Sequence, residues 1–215
     1  MQKLKIKVCG LTARDNTEKV LGLKPDYAGF IFYTPSPRDV TGRLQHIFPL
    51  ESATTINTVA VTVDMSVDEL GRLLSTGYFN TIQLHGHESP EYCMDIKQKW
   101  PKIEIIKAFS VDDAFNFNET KAYHSLSDYF LFDTRSETPG GSGRKFNWPI
   151  LRRYTGSTPF FLSGGIGPEL LDDIIKFSEE HALLYGIDIN SSFETSPGIK
   201  DTDKLKKFFN GVRNL

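Results

Sequence analysis

The chain has 215 residues, 39% hydrophobic and 24% charged, with a formal net charge of −2. That near-neutral balance gives no global pull toward nucleic acid or anionic membranes, so any anion site must be local. No apolar run reaches the ~18 residues of a membrane span, no h-region of a signal peptide opens the chain, and two cysteines build neither a disulfide framework nor a zinc site, so one cytoplasmic domain over 1–215 is expected.

Apolar runs with strand character alternate with helical runs from end to end. The first strand is predicted over 4–9 and ends on Cys9, followed at once by the turn glycine Gly10. The second, over 27–32, leads into Ser36-Pro37-Arg38; a helix after that point is crowded by Gly42 and Pro49. The third covers 58–63 and delivers Asp64 to its tip. Ser66 and Glu69 then form a capping box, each side chain satisfying a free N–H at the helix start. The fourth strand, 81–85, carries Gln83 and His85, with His87 and Glu88 beyond it expected in solvent. Ser89-Pro90 opens the next helix, where a proline lacking its N–H costs little. That helix sets Cys93 beside Tyr92, Ile96 and Trp100, which reads as plain core.

The fifth strand covers 104–109 and includes Lys107. The sixth covers 129–133 and ends on Asp133; a carboxylate deep in such an apolar strand would be costly, so it belongs at the mouth. The stretch 135–145, rich in Gly, Ser and Thr, has the composition of an active-site loop. The seventh strand, 159–163, runs through Gly164-Gly165 to Gly167-Pro168, a second helix start with proline. The eighth, 184–189, is followed by Asn190-Ser191-Ser192 and Glu194. Leu205, Phe208, Phe209 and Val212 recur at helical spacing and give the last helix one apolar face.

Eight such units predict parallel strands joined by right-handed crossovers. Periodicity alone does not force closure: the alternation fits an open doubly wound sheet and equally an α/β fold of one (β/α)8 TIM barrel, for which the length lies near the lower end. Chemistry in that fold sits at the C-terminal strand tips. Cys9 and Asp133, from different tips, are therefore a candidate base and acid pair, the carboxyl requiring a raised pKa to donate near neutrality. The two loops at Gly164-Gly165 and Asp188-Ile189-Asn190-Ser191 supply backbone N–H groups and hydroxyls for a phosphate. Arg38 could clamp a carboxylate through its planar fork. Gln83 and His85 read first as hydrogen-bonded structural residues and second as active-site candidates.

These residues lie in six blocks: KVCGLT (7–12), GFIFYTPSPR (29–38), IQLHG (82–86), FDT with GGSGRKFNW (132–148), LSGGI (162–166) and GIDINSSFETSPGIKD (186–201). In that order, over nearly the whole chain, they resemble the phosphoribosylanthranilate isomerase family. The resemblance implies a barrel that needs no cofactor and converts N-(5′-phosphoribosyl)anthranilate to 1-(2-carboxyphenylamino)-1-deoxyribulose 5-phosphate by an Amadori rearrangement. It implies Cys9 as general base, Asp133 as general acid and Arg38 on the anthranilate carboxylate. Gly164, Gly165, Asn190 and Ser191 would hold the phosphate, and the loop at Gly141 would cover the ligand. The partner implied is a small phosphorylated substrate, with no nucleic acid or membrane, in a monomer or homodimer.

Three departures stand out. NSSFE at 190–194 replaces the commoner SSGVE, Thr62 and Asp64 stand where an apolar residue and asparagine are usual, and Asn147 replaces a frequent aspartate. The rivals are another phosphate-binding barrel enzyme and a non-catalytic barrel that binds a phosphorylated metabolite. The first is disfavoured by the thiol at the first tip and the lack of a half-barrel repeat. The second would not require Cys9 and Asp133 together.

Overall fold

A computed structural model describes residues 3–134 and 148–213. Eight parallel strands form its centre: β1 (Lys5–Val8), β2 (Tyr27–Phe32), β3 (Asn57–Thr62), β4 (Thr81–Leu84), β5 (Glu104–Val111), β6 (Tyr129–Thr134), β7 (Phe160–Ser163) and β8 (Leu184–Ile189). Each pairs with the next, and β8 closes on β1 with Lys7 opposite Asp188, giving a single-domain (β/α)8 barrel. Closure removes the sheet edges that would otherwise invite aggregation.

The near-continuous apolar strands are explained by two burial environments. Alternate side chains point inward, where Tyr27, Val59, Val61, Ile106, Leu131 and Phe161 fill the lumen beneath Cys9. The others point outward and pack under the helices, among them Val8, Phe30, Leu84, Phe130 and Leu162. Tyr27 meets Phe161 edge-on with ring centroids 5.2 Å apart, and Tyr129 stacks on Tyr185 at 4.3 Å. Each such pair contributes about 0.5–1.5 kcal/mol beyond its buried area, so the barrel has a firm aromatic floor.

The outer layer holds α1 (Arg14–Leu21), α2 (Leu44–Ile47), α3 (Val67–Leu74), α4 (Pro90–Lys99), α5 (Leu171–Glu180) and α6 (Thr202–Arg213). The Ser66–Glu69 capping box forms at the start of α3, and Ser89 accepts from Tyr92 N at the start of α4. The apolar face of α6 is buried as its spacing predicts. Cys93 is likewise fully buried.

Regular helices do not follow every strand. After β2 only the four residues of α2 and a 3-10 turn at Glu51–Thr55 form, because Gly42 adopts φ +73° and Pro49 interrupts the run. Between β5 and β6 a 3-10 segment, Phe117–Tyr123, takes the helix's place. Its rings do the covering instead: Phe117 packs on Phe132, and Tyr123 on Phe109, both edge-on. Pro168 opens a 3-10 turn, Pro168–Leu170, that leads into α5 rather than opening α5 itself.

Candidate active site

At the C-terminal end of the barrel a cavity of about 520 Å³ opens. Cys9, Gln83, His85, Asp133 and Asp188 line its floor and walls. Gly164, Gly165, Asn190, Ser191 and Ser192 line one side of the mouth. Ile31, Val61, Val63 and Ile166 add an apolar wall suited to a flat ring. The candidate site residues from sequence therefore meet in one place, except that Arg38 is not among the residues that line the cavity. Gly141 lies outside the described residues, as do the rest of 135–145 and Asn147.

Cys9 sits one residue beyond β1, with its N–H bonded to Ile189 O at 2.9 Å. A Cβ on Gly29 of β2 would lie 2.9 Å from the sulfur, so glycine at that position makes room for the thiol. Cys9 is only 4% exposed. Burial pushes the thiol pKa up, and the ammonium of Lys7, two residues earlier on the same face, pulls against that rise without cancelling it. Lys7 is fully buried and its Nζ donates to Asp188 Oδ1 at 2.9 Å. Burial opposes its charge, but Asp188 and Cys9 outweigh it and hold the Lys7 pKa above its ordinary value. The thiol therefore rests on a buried ion pair.

Asp133, near the end of β6, is partly exposed, and its Oδ2 lies 3.6 Å from His85 Nε2. The Gln83 amide nitrogen is 2.7 Å from His85 Nδ1. With Gln83 donating, the hydrogen of His85 sits on Nε2 and faces Asp133. His85 and Gln83 thus form a chain that ends on the carboxyl, a closer tie than the sequence alone implies.

The glycines after β7 adopt φ +92° at Gly164 and +61° at Gly165, conformations that side chains disfavour. Opposite them Asn190 is held from behind by Lys200, whose Nζ donates to Asn190 Oδ1 at 2.7 Å. Arg38 lies across Gly10, where a Cβ would meet its Cδ at 2.6 Å. Its Nε donates to Glu194 Oε1 at 2.8 Å and its Nη2 to Oε2 at 2.6 Å. Lys200 also donates to Glu194 Oε1, at 2.7 Å. The cluster of Arg38, Lys200 and Glu194 carries one net positive charge beside the cavity, which favours an anion there.

Lys7, Lys200 and Glu194 were not singled out from sequence. Lys7 had a signal, since it shares the inward face of β1 with Cys9. The Glu194–Lys200 contact had none, because it depends on a short antiparallel pair, β9 (Glu194–Ser196) with β10 (Ile199–Lys200). One expectation is overturned. Glu88 is buried, not solvated: Lys107 reaches it at 2.9 Å, and the N–H groups of Asp64 and Gly86 donate to it. A cation enclosed within β5 needs that carboxylate.

A family model described as N-(5'phosphoribosyl)anthranilate (PRA) isomerase matches residues 6–211. The N-(5'-phosphoribosyl)anthranilate isomerase of Parabacteroides distasonis is 41% identical over 213 residues, covering 96% of this chain and 92% of the relative. The crystal structure of phosphoribosyl anthranilate isomerase from Thermotoga maritima superposes with a TM-score of 0.80 at 28% identity, covering 99% of this chain and all of that one. A phosphoribosyl anthranilate isomerase in complex with reduced 1-(o-carboxyphenylamino)-1-deoxyribulose 5-phosphate gives a TM-score of 0.78 at 25% identity, with 99% and 100% coverage. Matched over almost its whole length in both sequence and barrel geometry, the chain belongs to the phosphoribosylanthranilate isomerase family.

Proposed function

We propose that this isomerase converts N-(5′-phosphoribosyl)anthranilate to the 1-deoxyribulose 5-phosphate product with Asp133 as general acid and Cys9 as general base. The observation that carries the assignment is the shared cavity: a carboxyl, a thiol and two donor-rich loops meet at one barrel mouth. Asp133 protonates the furanose ring oxygen, and ring opening leaves a Schiff base. The cationic nitrogen acidifies the C2′ proton, which Cys9 removes; the resulting enolamine tautomerises to the ketose. Burial keeps the resting thiol protonated, yet the fraction that ionises is a stronger base for the same reason. The loops at Gly164-Gly165 and Asn190-Ser191 hold the phosphate away from the reacting carbons, and that remote binding orients the sugar. Arg38 binds the benzoate carboxylate, and the apolar wall receives the ring.

Turnover is tested directly by incubating purified protein with freshly made substrate and following its loss by fluorescence. Cys9→Ala and Asp133→Ala should each lower kcat at least ~100-fold, the usual scale of a general acid or base. Binding of the reduced product analogue should change little in both. A folded protein that binds the analogue but never turns substrate over would instead be a non-catalytic metabolite-binding barrel.

A further inference from the structure

Glu194 stands in the NSSFE segment, where it takes no part in the acid and base chemistry, yet it is among the most heavily engaged carboxylates near the cavity. Its side chain is 5% exposed and accepts from Arg38, from Lys200 and from Gly198 N at 3.1 Å. Lys200 in turn is fully enclosed and donates to Asn190. One carboxylate thus links the loop after β2 to the loop after β8.

A guanidinium offers two edges that can each hold a carboxylate in a paired contact. Glu194 occupies the Nε–Nη2 edge of Arg38. The Nη1–Nη2 edge keeps an Nη1 that makes no bond among the described residues. Two roles are conceivable for such a carboxylate: a competitor that the ligand expels, or a brace that fixes the fork. Expulsion would strip the buried Lys200 ammonium of its counter-charge, a costly change in an enclosed site. The brace is the arrangement the contacts support.

Resting on the activity proposed above, we infer that Glu194 is a positioning residue that aims the second edge of Arg38 at the aryl carboxylate and sets its spacing from the phosphate loop. It acts through Arg38 at one end and through Lys200 and Asn190 at the other. It thereby selects substrates with a carboxylate on the ring over N-aryl analogues without one.

The test uses two probes that share the phosphate: the reduced product analogue and its phenylamino counterpart lacking the ring carboxylate. In Glu194→Gln, calorimetry should show the carboxylated probe bound about tenfold more weakly and the other within about twofold of wild type. KM for substrate should rise about tenfold while kcat stays within about threefold. Glu194→Asp keeps a charge beside Lys200 but withdraws from Arg38, and should show the same selective loss. The double variant Arg38→Ala/Glu194→Gln should lose no more than Arg38→Ala alone, since the two act as one unit.

Tighter binding of the carboxylated probe in Glu194→Gln would make the residue a competitor and overturn the inference. Equal loss for both probes, or additive losses in the double variant, would reduce it to a structural role and overturn it too. The activity itself is judged in the wild-type enzyme, by turnover and by its preference for the carboxylated probe. Its failure would show there, before any variant is made.

Discussion

At the residue scale the proposed base is an enclosed thiol. Enclosure of Cys9 raises its pKa, and nearby Lys7 only tempers the effect. The sequence supports Cys9 as a base through its place at a strand tip and through the family resemblance of the KVCGLT block. The direction of its shift could not be read there, because it depends on how far Gly29 and the closing strands enclose the sulfur. A thiolate should therefore appear only above the ~8.5 typical of a free thiol. Difference absorbance between wild type and Cys9→Ala, titrated with pH, checks this; thiolate signal below pH 8 would contradict it. The pH profile of kcat/KM is a poorer probe, since a reaction that needs both an acid and a base reports the two together. The link from Gln83 through His85 to Asp133 was also beyond the sequence, which offers two polar residues on one strand face but not the strand they reach.

Among the elements, legibility followed the strength of local chemistry. The eight strands were readable because burial on both faces leaves an almost unbroken apolar run. The box at Ser66 and Glu69 marked the start of α3 to the residue, because two reciprocal hydrogen bonds specify that geometry. Ser66→Ala should accordingly destabilise the protein by about 1 kcal/mol, read as a lower urea midpoint with unchanged slope. The segments between β5 and β6 and after β2 were less legible. There the cover comes from scattered aromatic contacts, which carry no period, and the broken helix after β2 reflects Gly42 and Pro49. Tertiary packing, not helix propensity, decided those stretches.

For the whole molecule, the central polar feature is the Lys7–Asp188 pair buried beneath the cavity. Removing one partner from a buried pair leaves an uncompensated charge, so Lys7→Met should cost about 3–5 kcal/mol in a thermal or denaturant melt. Lys7→Met/Asp188→Leu, which removes both charges, should recover most of that loss if the pair is a device of placement rather than of stability. No helix among the described residues is long and apolar enough to cross a membrane. The barrel closes by pairing its first strand with its last, and that seam is where the thiol meets its surroundings. Cys9 follows β1 while Asp188 and Asn190 belong to β8 and the loop after it, so the thiol and its polar surroundings come together only when β8 docks on β1. A barrel opened at that one seam would keep seven of its eight strand pairings and still lose the pocket.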